Sequence, residues 1–96
     1  QILTAATKSP SEVSEEEFSR YVTYVTPRLG IWEYMFLAKQ KDAVGGSTWE
    51  AFEPYFNSMI CTKGYRRVWR EVERGFADSF RLYLNNEVIP TICESL

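Results

Sequence analysis

The chain has 96 residues, enough for one domain with a hydrophobic core of its own. Apolar residues make up 45% and aromatics 16%, which excludes an intrinsically disordered chain, and two cysteines are too few for a disulfide scaffold. Histidine is absent, which removes Ser–His–Asp and Cys–His catalysis and nearly every zinc site, and a net charge of −2 argues against a nucleic-acid partner.

Residues 1–10 read as the tail of a truncated helix and a linker: Ile2, Leu3 and Ala6 keep helical spacing until Ser9-Pro10-Ser11 breaks it. The opening residue is Gln rather than Met, so the expectation is a processed product or an excised fragment. Ser14 with Glu17 forms a capping box, and Glu15, Glu16 and Glu17 place negative charge at the positive end of a helix dipole. Phe18, Val22, Val25, Leu29, Trp32 and Phe36 then recur at alternating steps of four and three, flanked by Tyr21, Tyr24, Ile31 and Met35. Pro27 interrupts this stripe without shifting its phase, which predicts one kinked helix; the alternative is a break with Thr26 as N-cap. The helix is expected to end near Lys41.

Ser47 with Glu50 predicts a second capping box, followed by an apolar face of Trp49, Phe52, Phe56, Met59 and Ile60, with Pro54 beyond the first turn. Thr62 caps a third helix, with Tyr65, Val68, Trp69, Val72 and Phe76 inward. Asp78 or Ser79 caps a fourth, carrying Phe80, Tyr83, Leu84 and Val88; Pro90 stops it and residues 91–96 form a tail. No segment alternates with period two. The predicted fold class is all-α: a single domain, residues 1–96, built as a small bundle of four helices with the first long and kinked near Pro27.

Residues with chemical potential are few. No catalytic, cofactor-binding or metal-ligating set emerges, and Glu50 and Glu53 are explained by a helix start. Arg67, Arg70 and Arg74, with Arg66 beside them, mark a candidate anion or partner surface, although Glu71 and Glu73 are interleaved and favour a plain solvated face. Glu33 falls near the apolar stripe of the first helix, where a carboxylate needs a partner, so a Glu33–Arg66 ion pair is expected, with Arg70 as the alternative. Cys61 follows Met59-Ile60 and reads as a small core residue; both it and Cys93 are expected as free thiols. Tyr24, Tyr34 and Tyr55 lie off the main stripes and are candidates for a partner surface.

Ser14-Glu15-Glu16-Glu17-Phe18, Ile31-Trp32-Glu33, Trp49, Cys61-Thr62-Lys63-Gly64-Tyr65-Arg66-Arg67-Val68-Trp69 and Phe76-Ala77-Asp78-Ser79-Phe80 together resemble the C-terminal domain of a group of uncharacterised bacterial proteins. In that group one N-terminal transmembrane helix precedes basic residues and a small helical domain. The resemblance runs from Ile2 to about Tyr83, and Pro27 departs from the pattern. It implies an upstream anchor and a domain on the cytoplasmic side of the inner membrane; it brings no activity with it. The expected function is a non-catalytic interaction module, membrane-tethered when full length, with a protein partner or a second copy and no nucleic acid. The alternative is a sensor or small enzyme that holds an apolar or anionic ligand in a helical pocket.

Overall fold

A computed structural model describes residues 14–94, which form an all-α bundle of four helices. Helix α1 spans Glu15–Gln40. Ser14 caps it: the serine Oγ accepts from the Glu17 N–H at 3.1 Å and donates to Glu17 Oε1 at 3.3 Å, so the box closes through the hydroxyl. Phe18, Tyr21, Val25, Leu29, Trp32 and Phe36 are buried along one face. Tyr21 rather than Val22 takes the second place, and Val22 packs at the margin.

The chain stays helical through Pro27, so the two-helix alternative is not adopted. Pro27 lies on the solvent side, where the carbonyl it deprives of a donor faces water. Around it, Thr26 Oγ1 donates to Val22 O at 2.8 Å and the Arg28 guanidinium donates to Tyr24 O at 2.9 Å. The helix ends in a Schellman arrangement, with the N–H groups of Asp42 and Ala43 reaching Lys39 O and Ala38 O. Asp42 takes the left-handed position there, at φ 56°.

Helix α2 spans Gly46–Ile60 and buries Trp49, Phe56 and Ile60. The capping box expected from Ser47 and Glu50 does not form. The N-cap is Gly45, so Ser47 already lies inside the first turn and its hydroxyl is past the capping position. Phe52, expected in the core, is 45% exposed: it sits about 60° off the line through Trp49, Phe56 and Ile60, toward α1. Helix α3 spans Lys63–Val72, with the Thr62 Oγ1 accepting from the Tyr65 N–H at 3.3 Å, and a 3₁₀ turn over Glu73–Gly75 follows.

Helix α4 begins as Asp78–Leu82 and continues as a π-helix over Tyr83–Cys93. Two expectations fail here. Neither Asp78 nor Ser79 is the N-cap; Ala77 is, with no side chain of its own to cap with. Pro90 does not stop the helix and residues 91–93 are not a tail. In an i→i+5 register the carbonyl that Pro90 leaves without a donor is that of Asn85, an exposed residue.

α1 packs against α2, α3 and α4, and α2 against α3 and α4. The centre is aromatic. Trp32 stacks on Phe56 at 5.1 Å and meets Phe80 edge-on at 5.5 Å, and Trp69 meets Phe80 edge-on at 5.7 Å. The Trp69 indole N–H is satisfied by Asn85 Oδ1 at 2.8 Å, and Asn85 Nδ2 in turn donates to Glu73 at 2.9 Å.

Cys61 and Cys93 form a disulfide, with Cα atoms 5.1 Å apart, which corrects the expectation of free thiols. Cys61 is the C-cap of α2 and Cys93 is the last residue of the π-helix. The helical run past Pro90 is what carries Cys93 to the α2 terminus.

Candidate interaction surfaces

Glu33 is half-buried and its carboxylate is engaged, but not by an arginine. Its Oε2 accepts from the backbone N–H of Ala77 at 2.6 Å. Among the described residues no salt bridge joins it to Arg66 or Arg70. The expected ion pair is therefore corrected. α1 presents Trp32 and Phe36 to Phe80, so the carboxylate beside them meets the start of α4 rather than the outer flank of α3. The bond satisfies the N–H of the N-cap residue itself, the half of a capping box that a glutamate at N3 would fill, and places negative charge at the start of α4.

The α3 arginines stay on the outside. Arg70 and Arg74 are exposed, Arg66 and Arg67 are half-buried, and Lys63 extends the row at the N-terminal end. At 100° per residue, positions 63, 66, 67 and 70 fall within an arc of about 100°. The opposite face carries the buried Tyr65, Val68 and Trp69. Arg67 is laid over the Phe18 ring, its guanidinium carbon 3.7 Å from the centroid. Glu73 is turned away from the row, held by Asn85 and by Arg81 at 3.6 Å.

The off-stripe aromatics are exposed as expected: Tyr34 at 74%, Tyr55 at 59% and Tyr24 at 37%. One of them, Tyr55, lines a groove. Pro27, Arg28 and Ile31 of α1 face Phe52, Tyr55 and Met59 of α2 across a groove of about 350 Å³ floored by Phe56. Ile31 is 57% exposed at its edge, and the Arg28 guanidinium lies 3.7 Å over the Tyr24 ring, continuing the surface along α1. The sequence places Ile31 in a stripe flanking the α1 core face and Phe52 in the apolar face of α2. By helical angle Ile31 lies about 125° from the centre of the α1 core face, whereas Phe52 lies only about 60° from that of α2, at a margin that no third helix covers.

A second groove runs between α2 and the π-helix, where depressions of about 470 and 390 Å³ share Glu53, Tyr83 and Glu87. Tyr83 is buried and donates from its hydroxyl to Glu53 Oε2 at 2.5 Å. Burial first, and then this hydrogen bond, push the phenol well above the ordinary tyrosine range. Tyr65 is raised as well, chiefly by burial and next by Tyr21.

Trp32 and Trp69 are each 1% exposed and surrounded by rings, so the space between them is filled rather than open to a ligand. Among the described residues no group of three or more acidic or cysteine side chains is placed to hold a metal ion, and no helix is long and apolar enough to cross a membrane. No protein-family model, curated protein or solved structure matches the chain.

Proposed function

We propose that the chain is a non-catalytic helical interaction module that docks a protein partner through the α1/α2 groove. The observation that carries this is the exposure of Ile31, Phe52 and Tyr55 side by side around one groove, with Arg28 stacked on Tyr24 beside it. Tyr, Phe and Arg around a preformed apolar depression have the composition of interface anchors, and the groove suits one apolar side chain of a partner. Two carboxylates that could equip a ligand pocket are committed to the fold, Glu33 to the start of α4 and Glu53 to Tyr83, and the α3 arginines stay on the outside.

The Cys61–Cys93 bridge supports a working environment where disulfides persist, against the cytoplasmic side that the bacterial resemblance implies. A membrane tether upstream of the domain rests on that resemblance. A photo-crosslinking residue at position 55, in the cell of origin, is expected to give one discrete adduct that Ile31→Glu abolishes while the thermal melt holds. An adduct of twice the chain's mass identifies the partner as a second copy. Adducts that persist in Ile31→Glu, or that form equally from a probe at Tyr34, overturn the reading.

A further inference from the structure

We propose that the outer face of α3 is a docking surface for an anionic phospholipid bilayer. Lys63, Arg66, Arg67 and Arg70 lie in one arc of the helix, and Arg74 continues the row into the 3₁₀ turn. Apart from the adjacent Arg66 and Arg67, successive members are about one turn apart, so the charge is spread along a line rather than gathered round a point. The face is convex and none of the grooves described above is lined by these residues. A single small anion has no pocket there; an extended charged plane meets the whole row at once.

The choice of a bilayer over a protein rests on what the face lacks and what it holds rigid. Its outward positions are Lys63, Arg66, Arg67, Arg70, Glu71 and Arg74, with no exposed large apolar side chain among them. A stable protein interface needs a desolvated apolar or aromatic anchor at its centre, whereas attraction to an anionic surface needs only accessible cations. Arg67 is positioned by the Phe18 ring beneath it. Of the carboxylates around the row, Glu71 flanks it, Glu73 is drawn off by Asn85 and Arg81, and Glu16 and Glu17 beside Phe18 are engaged by Arg20 and Ser14. Other acidic residues collect elsewhere, with Glu50, Glu53 and Glu87 lining the α2/α4 groove. A chain of net charge −2 therefore meets an anionic plane most favourably with α3 down. The inference stands apart from protein docking at α1/α2 and needs no transmembrane segment.

The test is co-flotation of the whole chain, disulfide intact, with phosphatidylglycerol vesicles and with pure phosphatidylcholine vesicles at low and at physiological salt. Binding is expected to the anionic vesicles alone and to weaken steeply with salt. Each cation at the surface is worth about a fivefold gain in partition, so the paired substitution Arg66→Gln/Arg70→Gln is expected to lower it by about 25-fold. Tyr55→Glu, in the other surface, is expected to change it little. Circular dichroism of each variant checks that the fold is kept, and the salt dependence of the unsubstituted chain is a readout that needs no variant. Equal binding to both vesicle types, no binding at low salt, or indifference to the paired substitution overturns the proposal. Preference for a poly-glutamate peptide over the anionic vesicles also overturns it and assigns the row to an acidic protein.

Discussion

Glu33 Oε2 and the backbone N–H of Ala77 lie 2.6 Å apart, although 44 residues separate them in the chain. Helix α4 starts without a capping side chain of its own, and α1 supplies the acceptor for the N–H of its N-cap residue. The relation ties the position of α4 to that of α1. Glu33→Ala is expected to cost about 1.5–3 kcal/mol, the range for a hydrogen bond to a charged group. Glu33→Gln keeps an acceptor and is expected to recover part of that. Arg66→Ala, by contrast, is expected to stay within about 0.5 kcal/mol. Urea unfolding of the three variants decides the matter; a large loss in Arg66→Ala together with a small one in Glu33→Ala would restore the ion pair.

Reduction of the Cys61–Cys93 bridge releases a loop of 32 residues. Chain-entropy reasoning puts the expected loss of stability at about 4 kcal/mol for a loop of that length. Cys61→Ser/Cys93→Ser is expected to behave like the reduced protein. Thermal melts with and without a thiol reductant, alongside intact-mass measurement of the bridge, read this directly. Melts that coincide would show that the bond does not restrain the unfolded chain.

Tyr65 and Tyr83 keep their protons in the folded state far beyond the pH at which a free tyrosine loses its own. Above about pH 10 the unfolded chain therefore holds fewer protons than the folded one, and stability falls as pH rises. Each tyrosine is expected to add a slope of about 1.4 kcal/mol per pH unit there. Tyr83→Phe is expected to be less stable at neutral pH, through the loss of its bond to Glu53, yet to show a shallower alkaline decline. An alkaline slope that Tyr83→Phe leaves unaltered counts against the assignment.

Phe52 and Phe56 are one turn apart and differ sharply in surroundings: 45% exposed against 7%. Phe56→Ala empties space under Trp32 and is expected to cost about 3–5 kcal/mol. Phe52→Ala is expected to cost under about 1 kcal/mol. The pair of midpoint shifts in urea tests whether the groove margin belongs to the core.

What was legible in the sequence was periodic. The stripe from Phe18 to Phe36 and the caps at Ser14 and Thr62 follow from local rules, because side-chain spacing and an N-terminal hydroxyl act within one or two turns. What was not legible depended on contacts between distant segments. Glu33 was correctly read as a carboxylate in need of a partner, but a backbone N–H leaves no mark in a sequence, whereas an arginine does. Asn85 carried no signal of its own; only the need of the Trp69 indole for an acceptor could have pointed to it. Pro90 was given its usual meaning as a helix stop, and a π-helix allowed the chain to run on. The exposed row on α3 was visible as a pattern, while the withdrawal of Glu73 from it needed the position of Arg81.

The Cys61–Cys93 bridge also determines how the molecule carries a mechanical load. Tension applied at the two ends of the chain passes along α1 and α2 to Cys61, crosses the sulfur bridge, and leaves through the residues after Cys93. Residues 62–92, which hold Trp69, Phe80 and Tyr83, lie off that path as a branch. Pulling can strip α1 away while α3 and α4 are loaded only through their side-chain contacts with it and not along their backbone. Cutting the bridge under load would place that branch in series with the rest and add roughly 110 Å of extended chain.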